Sequence, residues 1–101
     1  MNIIDFIPYG YENAISRRRL ANLTRLDDTA MRHLIQDARL KGELILPRYD
    51  GGGYFRPILP DDIKHVKTFY SAEAGRHYAS GVIMERLAEE MEKYDEMTVA
   101  K

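Results

Sequence analysis

The chain contains no cysteine, which excludes disulfide frameworks and cysteine-based zinc sites. Long apolar runs are missing too, and none approaches the roughly 20 residues that a membrane-spanning helix needs. The opening Met1-Asn2-Ile3-Ile4-Asp5 lacks the basic region and apolar stretch of a signal peptide. A cytoplasmic protein without a membrane partner is expected. Catalytic signals are equally sparse. His33, His65 and His77 are not at close metal-ligand spacing. Gly51-Gly52-Gly53 lacks the Lys-Ser/Thr of a phosphate loop. Ser71 and Ser80 have no evident base partner. No enzyme activity, metal or cofactor is expected.

An excess of one charge is also lacking. The formal net charge is −1, which as a whole gives little attraction to a polyanion. The distribution says more. Met1 to Pro57 carries nine Lys/Arg against seven Asp/Glu, and Ile58 to Lys101 carries six against nine. The front is mildly basic and the back acidic. Arg17, Arg18, Arg19, Arg25, Arg48 and Arg56 lie in segments that could face one ligand, and a local patch can bind phosphates on a neutral chain.

Against these absences stand 101 residues, 45% hydrophobic and 31% charged. That balance supports a folded chain of one domain, or one small domain and an appendage. Residues 2–7 read as a short apolar helix or strand that stops at Pro8. Tyr9 to Asn13 is a turn, and Ala14-Ile15 a minimal strand. Ser16 is a good N-cap for a helix from Arg17 to about Leu23. Thr24-Arg25-Leu26 breaks the pattern. Asp27 caps a second helix, whose Met31, Leu34, Ile35 and Ala38 recur at helical spacing and form its buried face. Gly42 is a C-terminal stop. Leu44-Ile45-Leu46 and Tyr54-Phe55-Arg56 read as strands joined by the glycine turn Asp50-Gly51-Gly52-Gly53. From Asp61 to about Asp95 the chain reads helical, as one kinked helix or as two with a restart near Ser71.

This order (short helix, strand, helix, tight turn, helix, strand, glycine turn, strand) is that of a winged helix. The stretch ISRRRLANLTRLDDTAMRHLIQDARLKGELILPRYDGGGYFRP, Ile15 to Pro57, resembles the winged helix-turn-helix of the biotin-repressor and DeoR-like type. The resemblance is carried by Ile15-Ser16, Leu20-Ala21, Thr24-Arg25-Leu26, the capped helix with Leu34-Ile35, Gly42 and Gly52-Gly53-Tyr54. In layout, the whole chain resembles short helix-turn-helix proteins of phages and prophages that carry a helical tail. The resemblance implies an α+β fold, with a winged helix-turn-helix DNA-binding domain over residues 1–59 and a helical dimerisation tail over 60–101. It implies a sequence-specific double-stranded DNA-binding protein, a phage, prophage or bacterial transcriptional regulator acting as a dimer in the host cytoplasm or nucleoid. The alternative is a protein-binding adaptor in a replication or transcription assembly. Arg25 departs from the pattern, since the family often has glycine there, and left-handed geometry costs a non-glycine residue roughly 1 kcal/mol.

The residues support the same expectation independently. Arg17, Arg18 and Arg19 occupy the positive end of a helix, where each cation is unfavourable by about 0.3–1 kcal/mol. A phosphate at that end would reverse the penalty. On the second helix Asp28, Thr29, Arg32, His33 and Gln36 lie off the buried face. Arginine reads guanine bidentately and glutamine reads adenine, so these are the candidates for the major groove. Arg48, Tyr54 and Arg56 are the wing candidates, while Tyr49 and Tyr54 also suit a cross-strand pair that steadies the hairpin. The competing reading is a solvated basic turn and a plain polar helix face. In the tail, Ile63, Val66, Tyr70, Ala74, His77, Gly81, Met84, Leu87, Met91 and Tyr94 follow three-four spacing. This stripe either pairs with a second copy or folds back on the front of the chain.

Overall fold

The computed structural model describes residues 2–76 and 80–99, with backbone alone over 95–99. Among these residues four α-helices and one two-stranded antiparallel sheet give an α+β structure. Helix α1 is Arg17–Thr24 and α2 is Asp28–Leu40. Strands β1, Leu46–Arg48, and β2, Gly53–Phe55, form a hairpin. Helices α3, Ile63–Ala74, and α4, Gly81–Val99, complete the chain. A 3-10 turn at Ile3–Phe6 precedes them and packs on α1 and α2.

Local sequence accounts for the first two helices. The Ser16 hydroxyl accepts the Arg19 N–H at 3.1 Å and the Asp27 carboxylate accepts the Ala30 N–H at 2.7 Å. Each cap satisfies a donor that the helix itself leaves open, a contribution of about 1 kcal/mol. Arg25 ends α1 at φ 58°, in the left-handed region, and its N–H donates to the Ala21 carbonyl at 2.7 Å. The turn keeps the shape that favours glycine, and Arg25 carries the strain. Ile15 pairs with Tyr54 on the free side of β2, exchanging N–H···O bonds of 2.9 and 3.0 Å.

Three departures concern boundaries. Strand β2 is Gly53–Phe55 rather than Tyr54–Arg56, because the Arg56 N–H donates to the Pro8 carbonyl at 2.8 Å instead of continuing the hairpin. Strand β1 starts at Leu46 rather than Leu44, because the Ile45 carbonyl is taken by the Arg39 guanidinium at 2.9 Å. The helical tail breaks after Ala74, not near Ser71, where the Gly75 N–H closes the last turn on the Ser71 carbonyl.

The hairpin is a partition between two cores. Successive strand side chains point to opposite faces. Ile45 and Tyr54 enter one cluster with Ile3, Ile7, Leu20, Met31 and Ile35. Their neighbours Leu46 and Phe55 enter the other, with Val66, Phe69, Ile83 and Leu87. A bare two-stranded hairpin is marginal in water, so both faces need cover. The tail supplies the second cover.

Of the two arrangements expected for the tail stripe, the described residues of the tail pack on the front of the same chain. Val66 and Leu87 are at most 1% exposed, and Ile63, Tyr70 and Met91 pack at the edge of the same cluster. The apolar stripe assigned to a second copy is largely spent within the chain. Ala74 and Gly81 are exposed, Met84 and Tyr94 half-buried, and His77 lies outside the described residues. No helix among the described residues is long and apolar enough to cross a membrane.

Candidate nucleic-acid interface

The turn Arg25-Leu26-Asp27 lets a side chain from the first turn of α2 meet one from the first turn of α1. Asp28 records the proximity. Its Oδ1 lies 3.8 Å from the Arg17 Nε and its Oδ2 lies 3.4 Å from the Arg32 Nε. The first turns of two helices and the next turn of α2 therefore share one surface. Arg18, Arg19 and Arg25 are exposed on α1 and at its C-cap. Two helix N-termini present partial positive charge on the shared surface, in addition to the guanidinium groups.

Along α2 the exposed residues Asp28, Thr29, Arg32, His33 and Gln36 form a single face, and Met31, Ile35 and Ala38 are buried on the other. An α-helix with its side chains is about 10–12 Å across and the major groove about 12 Å wide. The α2 face is thus of a size and chemistry that a groove accepts.

The hairpin residues fare differently. Arg48 is held by Asp50 at 3.0 Å and by the Tyr11 carbonyl at 3.1 Å, with its guanidinium 4.3 Å from the Tyr11 ring centre. The hydrogen bond that it donates to Asp50 raises its pKa above the usual arginine value. Arg56 donates from Nε to the Ile7 carbonyl at 2.7 Å and from Nη1 to the Tyr9 hydroxyl at 3.3 Å. Tyr54 is 9% exposed and belongs to the first core. Its neighbour in the strand alternation, Phe55, faces the tail, so Tyr54 is turned toward α1 and α2 and away from any ligand at the hairpin surface. It also stands opposite Pro47 rather than Tyr49, so the cross-strand tyrosine pair does not form.

The sequence did not single out Arg39. Its Nε donates to the Ile45 carbonyl, and its guanidinium lies 4.7 Å from the centre of the Phe69 ring on α3. Burial lowers its pKa to about 10, against the opposing influence of Tyr54 and Glu73. Arg39 remains a cation at neutral pH and joins α2 to the tail.

Comparison of the chain with protein families, curated proteins and solved structures gives no match. The interface is therefore described by its own geometry. Elsewhere lies an open groove of about 360 Å³ lined in part by Tyr11, Glu12, Asp61, Asp62, Lys64 and His65. Its three carboxylates outnumber its one lysine, which gives it the wrong sign for phosphate. No group of three or more metal-ligating side chains occurs among the described residues.

His65 in this groove stacks parallel on Tyr11 at 4.1 Å and meets Phe55 edge-on at 5.7 Å. Burial, with Lys64 and Arg48 nearby, lowers its pKa below 6.5, and Asp62 only partly opposes them. The unfolded chain therefore takes up the proton first as pH falls. The stability that the neutral ring contributes is complete above pH 6.5 and is lost between 6.5 and the folded value. The melting temperature should fall more between pH 7.5 and 5 for the natural chain than for His65→Phe. Equal falls would show that the stack does not resist the charge.

Proposed function

We propose that the chain is a sequence-specific double-stranded DNA-binding protein of the winged helix-turn-helix type, acting as a phage, prophage or bacterial regulator. The observation that carries this reading is a division among the arginines of the front half. Arg39, Arg48 and Arg56 are spent on backbone carbonyls. Arg17, Arg18, Arg19, Arg25 and Arg32 remain exposed on α1, α2 and the turn between them, Arg17 and Arg32 held, among the described residues, only by the exposed Asp28. Exposed cations at the positive end of a helix work against its dipole, and a polyanion turns that cost into binding.

In this reading the start of α1 abuts the phosphate backbone and the α2 face enters the major groove. The hairpin, bridged to Ile15 through Tyr54, stands as the wing. Its contact to DNA falls to the exposed turn, where Tyr49 is 57% exposed, rather than to Tyr54. The proposal concerns a single chain. A two-fold pair through Val66 and Leu87 would have to draw on side chains that the chain's own core already uses.

Selection from a random DNA pool, followed by two substitutions, tests the reading. Arg18→Ala should weaken selected and random DNA alike and reduce the salt slope by about one unit. Arg32→Ala should lower the preference for the selected site, since a bidentate base contact discriminates by about 1–3 kcal/mol. Equal loss on both DNAs from Arg32→Ala would remove α2 from the groove. No effect from either substitution would favour a protein-binding adaptor.

A further inference from the structure

The proposed DNA surface holds a carboxylate at its centre. Asp28 stands between Arg17 on α1 and Arg32 one turn along α2, at 3.8 and 3.4 Å. The neighbouring Asp27 is occupied in capping, through the Ala30 N–H at 2.7 Å. Asp28 has no such backbone duty among the described residues. Its side chain is 48% exposed and both arginines are 59% exposed. Exposed ion pairs of this kind add little to stability, and the place of Asp28 in the first turn of α2 adds about 0.3–1 kcal/mol through the helix dipole, so stability is a small reason for the carboxylate. Toward DNA it repels every phosphate, whatever the sequence. It also keeps two long, rotamer-rich side chains in a defined place before DNA arrives, and ordering such chains in advance removes part of the cost of binding.

We infer that Asp28 is a positioning residue for sequence discrimination. It orients Arg32 toward a base edge and holds Arg17 back from phosphate, so that general affinity is lowered and the preference for one site is raised. The inference rests on the DNA-binding reading above. It adds to that reading a carboxylate that acts through Arg32 rather than on DNA directly. Specificity is a difference of affinities, and a repulsive element that penalises all DNA equally leaves the favourable base contact to decide.

The test compares the natural chain, Asp28→Asn, Arg32→Ala and the double variant on the selected site and on random DNA, with melting curves to show that each is folded. Asp28→Asn should tighten random DNA about two- to five-fold, the size expected for one exposed charge pair. Its salt slope should steepen by about one unit as Arg17 becomes free to meet a phosphate. The ratio of selected to random affinity should fall by about five-fold or more, the lower bound for one base contact. In the Arg32→Ala background the same change should leave the ratio where it was. A ratio unmoved by Asp28→Asn, or one that falls equally without Arg32, overturns the inference while DNA binding stands. A natural chain that no DNA retains overturns both. In the free protein, the Arg32 Nε–H should gain motion on nanosecond timescales in Asp28→Asn, and unchanged relaxation there also counts against the inference.

Discussion

Alanine at Gly53 should lower stability by about 2–5 kcal/mol, the sum of left-handed strain and overpacking. For a chain of this size that is a fall of about 10–30 °C in melting temperature. Gly53 has φ +87°, and an added Cβ would lie 1.9 Å from the Ile15 carbonyl oxygen and 2.8 Å from the Ser16 Cα. Both are backbone atoms and cannot swing away. The Ile15 carbonyl is also the acceptor for the Tyr54 N–H at 3.0 Å. Relieving the clash therefore breaks the bridge that ties the start of α1 to the hairpin. The neighbouring glycines give the comparison. Gly51 has φ +88° but nothing within 4 Å of the added atom, so Gly51→Ala should cost about 1 kcal/mol from strain alone. At Gly52 the added atom meets the Arg48 side chain at 2.5 Å, and that flexible chain can move at the cost of its contacts with Asp50 and Tyr11. The expected order of melting temperatures is Gly51→Ala above Gly52→Ala above Gly53→Ala. Similar values for Gly51→Ala and Gly53→Ala would mean that the close approach to Ile15 does not exist in solution.

The sequence foretold the parts of this fold whose causes lie within a few residues. Ser16 and Asp27 cap the helices that they should cap, because an N-cap needs only its own helix. Of the face that the spacing predicts, Met31, Ile35 and Ala38 are buried and Leu34 is half-buried. What stayed hidden depends on residues far apart. Tyr11 on His65, and Arg39 on Ile45 and Phe69, follow no local rule. Arg48 and Arg56 looked free because carbonyls at Tyr11 and Ile7, which occupy them, leave no trace in a side-chain pattern. Of the candidate DNA residues, Arg17, Asp28 and Arg32 are brought together, while Arg18, Arg19, Arg25, Thr29, His33 and Gln36 are exposed on the same two helices and the turn between them. Tyr54 is not among them, since strand alternation settles its direction only once the tail shows which side of the hairpin faces which core. The tail was the hardest part to read. A three-four stripe reports that a helix buries one face, but not whether the cover comes from the same chain.

Leu87 offers the test of that question. It is 1% exposed and lies in one cluster with Phe69 and Ile83 of the tail and with Leu46 and Phe55 of the hairpin. Leu87→Ala should cost about 2–5 kcal/mol, the range for truncating a fully buried leucine. Leu87→Glu should cost more, because it places an unpaired carboxylate in an apolar site, and it should leave little folded protein at 37 °C. Val82 on the same helix is 51% exposed, and Val82→Ala should stay within about 0.5 kcal/mol. Concentration separates cover by the chain itself from cover by a second copy. Intramolecular packing gives Leu87→Ala a lowered melting temperature that does not change with protein concentration, whereas a core shared between copies gives one that rises with it. The hairpin offers a second readout. Leu46 and Phe55 face each other across the strands and both enter the cluster with Leu87, so the Phe55 amide should lose protection from hydrogen exchange together with the amides of α4. Loss confined to α4 would mean that the tail peels away as a separate unit, and that the front of the chain holds its hairpin without it.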